Sequence, residues 1–362
     1  MSASRPLVQG VRKIAVLRPN AVGDFVFALP ALHALRHAYP EAELVYLGKA
    51  WHADFLAGRP GPVDRVVVMP PVPGVGTPPD GPADEGAVER FTARMRDEGF
   101  DILAQMYGGG SHSNPFARRL GARLTIGARA DGAAPLDRWV PYVEPANRRL
   151  ALLEIAALVG GTLPWLPCEL ELTPADRTAA AQLLPPDSGR PLVLLQPGSS
   201  DPRRCWAPER FATVGDALAA EGMLVAVNGT DGEAALVRQV AACMRHPCIE
   251  LTGRLGLGGL CGLIERAALV VSNDTGPLHL ALAIGTPAVG IFWHTNLVDG
   301  APLRPGLLRA AVSAQVRCRT CGLDNRAVRC QHQPSFVDEI CVDEVLRHAR
   351  AHLRTRSPGG AD

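Results

Sequence analysis

Short apolar, β-branched runs recur along the chain between turn-rich stretches: Lys13–Arg18 (KIAVLR), Glu43–Leu47, Arg65–Met69, Leu192–Gln196, Leu224–Asn228, Ala268–Ser272 and Ala288–Phe292. Runs of this length, apolar throughout rather than alternating, predict strands buried on both faces. Between them lie helical patterns such as Asp24–Ala38, Pro208–Glu221, Gly232–Met244 and Pro277–Ile284. Strand alternating with helix encodes a parallel sheet covered on both sides. The alternation occurs twice, and between the two runs Thr162–Pro191 carries six prolines and reads as a boundary. The pattern predicts an α/β protein of two Rossmann-like domains, 1–172 and 173–341, with parallel sheets facing an interdomain cleft. The stretch 342–362 reads as a helix and tail, basic near the helix end, that packs back on the N-terminal domain. Pro70–Gly86 (PPVPGVGTPPDGPADEG) interrupts the first half and is neither helix nor central strand. A mobile loop over the cleft and a surface insertion are both open for it.

Composition agrees with two domains: 362 residues, 47% apolar and 20% charged, suffice for sizeable cores and exclude global disorder. With 37 Lys and Arg against 36 Asp and Glu there is no basic excess to hold a nucleic-acid backbone. The first ten residues lack an apolar stretch, and no window approaches eighteen uninterrupted apolar residues. Neither a signal peptide nor a membrane span is expected. Cys205, Cys243, Cys248 and Cys261 are scattered through ordinary α/β sequence, as in a reducing cytoplasm.

The most informative segment is ALVVSNDTGPLHLALAIG, Ala268–Gly285. A strand runs into Asn273, Asp274, Thr275 and Gly276, and Pro277 opens an apolar helix, where its missing N–H removes nothing needed. Free amides and the positive dipole end suit an anion, and Gly276 permits close approach of a ligand. Thr275 adds a hydroxyl, and His279 lies within the first turns. A diphosphate is the natural guest, although Asp274 and Thr275 are equally common as simple helix caps. Two further loops strengthen the reading: Ser199, Ser200 and Arg204 follow the strand Leu192–Gln196, and Asp231 follows Leu224–Asn228, where a carboxylate suits a ribose. Together they make a nucleotide pocket at one sheet edge. No phosphate-binding GxxxxGK[ST] loop is present, and Gly256-Leu257-Gly258 lacks the third glycine of a dinucleotide fingerprint.

In the first half, Lys13–Arg18 ends in PNAVGD, and Asp24 at the helix start is either a base facing the cleft or a cap. Residue type and spacing leave both open. Gln105–Asn114 (QMYGGGSHSN) has three glycines suited to close backbone approach. Asn20, His112 and Asn114 are candidate acceptor contacts, although isolated loop residues are more often structural.

LRPNAVGDFVFALPAL, LLQPGSSDPRRCWAPERFA and SNDTGPLHLALAIGTPAVGIF, in this order and spacing, resemble glycosyltransferase family 9, the heptosyltransferases of GT-B fold. The resemblance covers essentially the whole chain. It implies inverting, metal-independent transfer of a heptose from ADP-heptose to a hydroxyl of a glycan or glycolipid such as a lipopolysaccharide core. It implies Asp24 as general base and Arg204, Asp231, Thr275, Gly276 and His279 as donor contacts, with Asp274 in support; Ser199, Ser200 and Pro277 are donor candidates from the loop reading above. Arg204 stands where the family usually has lysine, and Asp231 near an acidic ribose position, so the donor is not fixed. Another nucleotide sugar, a nucleotide-sugar epimerase of the same architecture, and a non-catalytic nucleotide-sugar binder are the alternatives. A near-neutral chain keeps a soluble acceptor open beside one met by peripheral contact at the inner face of the cytoplasmic membrane.

Cys318-x-x-Cys321, Cys330-x-His332 and Cys341 form a late cluster whose ligand types suit a structural zinc or iron. The alternative is a reduced set that packs a loop. In either case the resemblance implies that catalysis itself needs no cofactor.

Overall fold

The computed structural model describes residues 6–184, 189–326, 328–332 and 334–356, which divide into two compact units, 1–171 and 172–362. The sequence boundary segment therefore breaks at Glu171, and its residues 185–188, like the tail 357–362, lie outside the described residues.

The first unit runs β1 (Lys13–Leu17), α1 (Val22–Ala38), β2 (Glu43–Gly48), α2 (Ala50–Leu56), β3 (Arg65–Val68), β4 (Val72–Pro73), β5 (Gly76–Thr77), α3 (Glu85–Asp97), β6 (Ile102–Gln105), α4 (Ser113–Arg119), β7 (Leu124–Arg129), β8 (Arg138–Pro141) and α5 (Arg148–Ala157). Its sheet has the order β3-β2-β1-β6-β7-β8, every pair parallel, with Ala15 beside Val45 on one side and Leu103 on the other. Because helices cover both faces, the central strands are apolar without alternation, as Ile14–Leu17 and Ile102–Ala104 are. The proline-rich stretch is anchored at its start and largely exposed over 78–86. It forms the small β4–β5 ribbon, whose Val72 and Val75 are buried with Phe91, Phe116 and Leu47 in the core. Asp84 then caps α3 by accepting from the Ala87 amide (2.9 Å).

The second unit runs α6 (Pro174–Ala181), β9 (Leu192–Gln196), α7 (Pro208–Ala220), β10 (Leu224–Val227), α8 (Ala234–Cys243), β11 (Ile249–Glu250), α9 (Leu257–Arg266), β12 (Ala267–Asn273), α10 (Gly276–Ile284), β13 (Ala288–Trp293), α11 (His294–Gly300), β14 (Leu308–Ser313) and α12 (Val342–Arg356). Its sheet order, β11-β10-β9-β12-β13-β14, again all parallel, repeats the winding of the first. The C-terminal helix was expected against the N-terminal domain. It packs instead on α7 and strands β12–β14 of its own unit, where Val345, Leu346 and Ala349 join Phe211, Leu218 and Val289 in one core. The amphipathic spacing of α12 fits either partner, so the sequence alone could not choose between them.

Candidate functional site

In each unit the winding of the sheet reverses between two neighbouring strands, and open α/β sheets take ligands at the carboxyl ends of those strands. In the first unit these strands are β1 and β6. β1 leads into Arg18, whose buried guanidinium bonds across the switch: Nε donates to the Asp24 carbonyl (2.8 Å), one terminal nitrogen reaches Asp24 Oδ1 (3.4 Å), and the other donates to the Met106 carbonyl just past β6. Burial pushes the Arg18 pKa down, opposed by the Asp24 charge. The N-cap of α1 is Ala21, with no side-chain cap bond, and the Asp24 carboxylate bonds Arg18. Asp24 is thus a partly exposed carboxylate held by a buried cation, not a cap.

Asp24 opens on a cavity of about 330 Å³ whose polar lining includes Arg18, Asn20, Tyr142 and Arg148, with Val140, Leu152 and Ile155 as apolar wall. Asn20, a candidate acceptor contact from the sequence, lines this cavity. His112 and Asn114 do not line this cavity. His112 lines a separate cavity beside Val72 and Phe116. Asn114 is buried, and its amide donates to the carbonyls of Ala128 (3.2 Å) and Ala134 (2.9 Å), which braces the end of β7. The glycine run has the predicted use, since a side chain at Gly109 would strike Ala130 and Tyr142.

In the second unit the switch lies between β9 and β12. The loop after β9 makes one 3-10 turn at Pro202–Arg204, capped by Asp201, which accepts from the Arg203 amide (3.0 Å) and pairs with the Arg203 guanidinium (2.7 Å). That pair occupies Arg203 and leaves Arg204 to face β12. Arg204 meets Asp274 at its carbonyl (3.2 Å) and at Oδ2 (3.1 Å), and also Ser200 Oγ (3.3 Å). Asp274 further accepts from Asn296 Nδ2 (2.8 Å) and, at Oδ1, from His279 Nε2 (3.0 Å). Burial pushes the Asp274 pKa up, but His279, Asn296 and Arg204 together outweigh it and hold the carboxyl below its usual range. His279, expected to reach the ligand, is buried and holds Asp274.

Thr275 occupies the N-cap of α10 without a side-chain cap bond, Gly276 and Pro277 form the first helical turn, and the helix runs nine residues. A helix start with no side-chain oxygen on its amides keeps them for an anion. The two loops are stitched by Asn273, which accepts from the Trp206 amide (3.2 Å) and donates to the Pro197 carbonyl (2.7 Å). Ser199 accepts from the Asp201 amide (3.3 Å) and shapes the same turn. After β10, Glu233 boxes Thr230 (2.8 Å) and lies against Gly198, where any side chain would meet its carboxylate, while Asp231 is exposed at the turn. Of the residues not foreseen, Arg18 carries a signal, a charge at the end of a buried strand. Asn296, on the short α11, carries none.

The cysteine cluster gathers Cys318, Cys321, Cys330 and His332, with donor atoms within 4.8 Å of one another. Tetrahedral zinc at about 2.3 Å from each sulfur needs donors about 3.8 Å apart, so the set fits with small side-chain adjustment. The backbone folds as such a knuckle: Cys318 N–H donates to the Leu323 carbonyl (2.9 Å), Gly322 N–H to the Cys318 carbonyl (2.8 Å), and Thr320 N–H to Cys318 Sγ (3.4 Å). The Asn325 amide donates to Cys330 Sγ (3.4 Å) and leads the effects that bring that thiol down to about 6. Cys341 is not in the group: it stands at the head of α12, exposed, beside the buried Ile340.

A sequence model described as glycosyltransferase family 9 (heptosyltransferase) matches residues 88–323, more than half of the chain. The lipopolysaccharide core heptosyltransferase OpsX of Haemophilus influenzae is 23% identical over 303 residues, 80% of this chain and 82% of that protein. Among solved structures, a family 9 glycosyl transferase from Veillonella parvula superposes with a TM-score of 0.75 at 19% identity, covering 95% of this chain and 97% of that one. The ADP-heptose lipopolysaccharide heptosyltransferase II of Escherichia coli does so with 0.73 at 19% identity, covering 95% and 99%. TibC, an iron-containing dodecameric glycosyltransferase of enterotoxigenic Escherichia coli, gives 0.53 at 13% identity, covering 97% and 78%. The two α/β units with parallel sheets are the GT-B fold of these enzymes, and the chain belongs to glycosyltransferase family 9, the heptosyltransferases.

Proposed function

We propose that the protein transfers a heptose from ADP-heptose to a hydroxyl of a lipopolysaccharide-core acceptor, with inversion and without a catalytic metal. The observation that carries this reading is the opposite exposure of two ion pairs. In the first unit the arginine side chain is 5% exposed and the carboxylate 41%; in the second the carboxylate is 6% exposed and the arginine 22%. One switch point therefore offers a base and the other offers positive charge. The acceptor hydroxyl attacks the anomeric carbon as Asp24 takes its proton. The bond from that carbon to the diphosphate oxygen breaks, and ADP leaves. Arg204 and the amides at the start of α10 stabilise the charge that grows on the diphosphate, the role a divalent ion fills elsewhere. Asp274, fixed by His279 and Asn296, orients Arg204. Asp231 and Glu233 are the ribose candidates.

No helix among the described residues is long and apolar enough to cross a membrane. We place the protein in the cytoplasm, meeting a lipid-linked acceptor at the inner membrane face. The test is ADP release from ADP-heptose with and without a heptose-free core acceptor, with the product's anomeric configuration read by NMR. Acceptor-dependent release and inverted product are expected; donor consumption without acceptor would point to an epimerase instead. Turnover is expected to be undiminished by EDTA at concentrations that leave cysteine-bound metal in place.

The Cys318, Cys321, Cys330 and His332 group holds, in our reading, one structural zinc or iron. The thiolate-rich donor set and the N–H bonds to sulfur support this, and TibC is iron-containing. When bound, the ion supplies a crosslink and no chemistry at the donor site.

A further inference from the structure

The segment that leaves the cysteine knuckle goes straight to the loop that carries Arg204. Three residues after His332, Ser335 Oγ donates to the Cys205 carbonyl (2.8 Å); one further on, Phe336 N–H donates to the Arg203 carbonyl (2.8 Å). These two bonds hold the carbonyls of the residues on either side of Arg204. Phe336 is fully buried and stacks on Trp293 with ring centres 4.9 Å apart, and the Arg203 guanidinium lies over the other aromatic of that pair, Trp293, at 5.7 Å. From the knuckle itself, Arg329 reaches Asp201 (3.8 Å), the residue that caps the 3-10 turn. These ties to the turn arise at residues 329, 335 and 336, on either side of the last two cluster ligands, while Trp206 at the end of the loop also donates to the Ile340 carbonyl (2.9 Å).

We propose that the knuckle, when it holds its metal, is the positioning device for Arg204: it fixes 335–336, which fix Arg203–Cys205, and so sets the guanidinium for the diphosphate. This rests on the donor-site reading and on the metal reading above. A chain bending freely between Asn325 and Ser335 would hold two hydrogen bonds, each worth about 1 kcal/mol net, only part of the time. A chain crosslinked at Cys318, Cys321, Cys330 and His332 has already lost that freedom. The coupling is reciprocal, so a bound diphosphate should also slow metal loss.

The experiment uses the full chain in two forms, as purified with its metal content measured, and stripped by prolonged dialysis against a strong chelator under reducing conditions. Hydrogen exchange of 201–206 is followed in both, with Lys13–Leu17 as reference, alongside calorimetry with ADP. Expected are about one metal per chain as purified, faster exchange of 201–206 but not of 13–17 on stripping, and about tenfold weaker ADP binding. Ser335→Ala should keep its metal yet show the same faster exchange and a weaker ADP affinity, with Ser335→Thr restoring both. Unchanged exchange and affinity in stripped protein overturn the coupling while leaving the metal site standing. Negligible metal in the purified protein overturns both. Faster exchange on stripping in a protein that never binds ADP supports the coupling and removes the donor-site reading instead.

Discussion

The two units share one winding, yet their switch points are furnished in opposite senses. Each sheet places a strand end and a helix start at the same position, and each puts an arginine and an aspartate there. In the first unit the arginine directly follows a buried strand and is itself buried, so it is sequestered and the aspartate of the next helix is left partly exposed. In the second the aspartate directly follows the strand and is buried, and the arginine comes from a neighbouring loop and stays partly exposed. The fold supplies a place; which member of the pair is sequestered decides what that place can do. A buried cation presents a carboxylate, and a buried carboxylate presents a cation.

The largest expected effect is on the first pair. Asp24→Asn keeps the hydrogen bond to Arg18 but cannot accept the acceptor's proton, so turnover should fall by about 10² to 10⁴, as removal of a general base does. Next comes the buried partner of the second pair. Asp274→Ala leaves Arg204 and His279 without their shared carboxylate, and breaking a buried pair of this kind costs about 3 kcal/mol. Chemical denaturation should show that loss together with loss of ADP binding. Arg204→Ala, by contrast, removes the presented partner. It should lower the denaturation midpoint less than Asp274→Ala does, because His279 and Asn296 still hold the carboxylate, while ADP affinity in calorimetry drops about tenfold and Arg204→Lys recovers part of it.

The smallest effect lies at the other end of the first sheet, where charges are paired only for stability. Glu98 bonds Arg65 (3.0 Å) and Lys13 (2.8 Å) at the amino ends of β3 and β1, and these partners, Arg65 first, bring its pKa from 4.5 down to about 2. A lowered carboxyl stabilises the fold fully above pH 4.5 and loses that contribution as pH falls through about 2. Glu98→Gln should cost about 1–2 kcal/mol at pH 7 after solvent screening, and the difference from wild type should close near pH 2, with turnover unaffected.

Much of this was legible from residues alone, and for definable reasons. Fully buried strands such as Leu192–Gln196 and Ala288–Trp293 announce themselves as unbroken apolar runs. Arg138–Pro141 and Leu308–Ser313, at sheet edges and only partly buried, have no such run and were not foreseen. The motif NDTGPLH marked the right helix start, but spacing could not tell that His279 turns inward to Asp274, nor that Asn296, twenty-two residues on, completes that carboxylate's shell. Asn114 misled for the converse reason: a polar side chain in a glycine-rich loop looks like a ligand contact until its backbone partners across the loop are known. Cys341 was grouped by proximity in sequence, whereas a metal group requires proximity of donor atoms, and the start of α12 leads it away.

The measurement that bears most directly on the division between the two switch points is calorimetry of ADP with Asp24→Asn, set beside its turnover. If the first unit supplies only the base and the second holds the diphosphate, the variant should bind ADP within about twofold of wild type while transferring no more than about one hundredth as fast. An affinity loss as large as the loss of turnover, or near-normal transfer, would contradict that division.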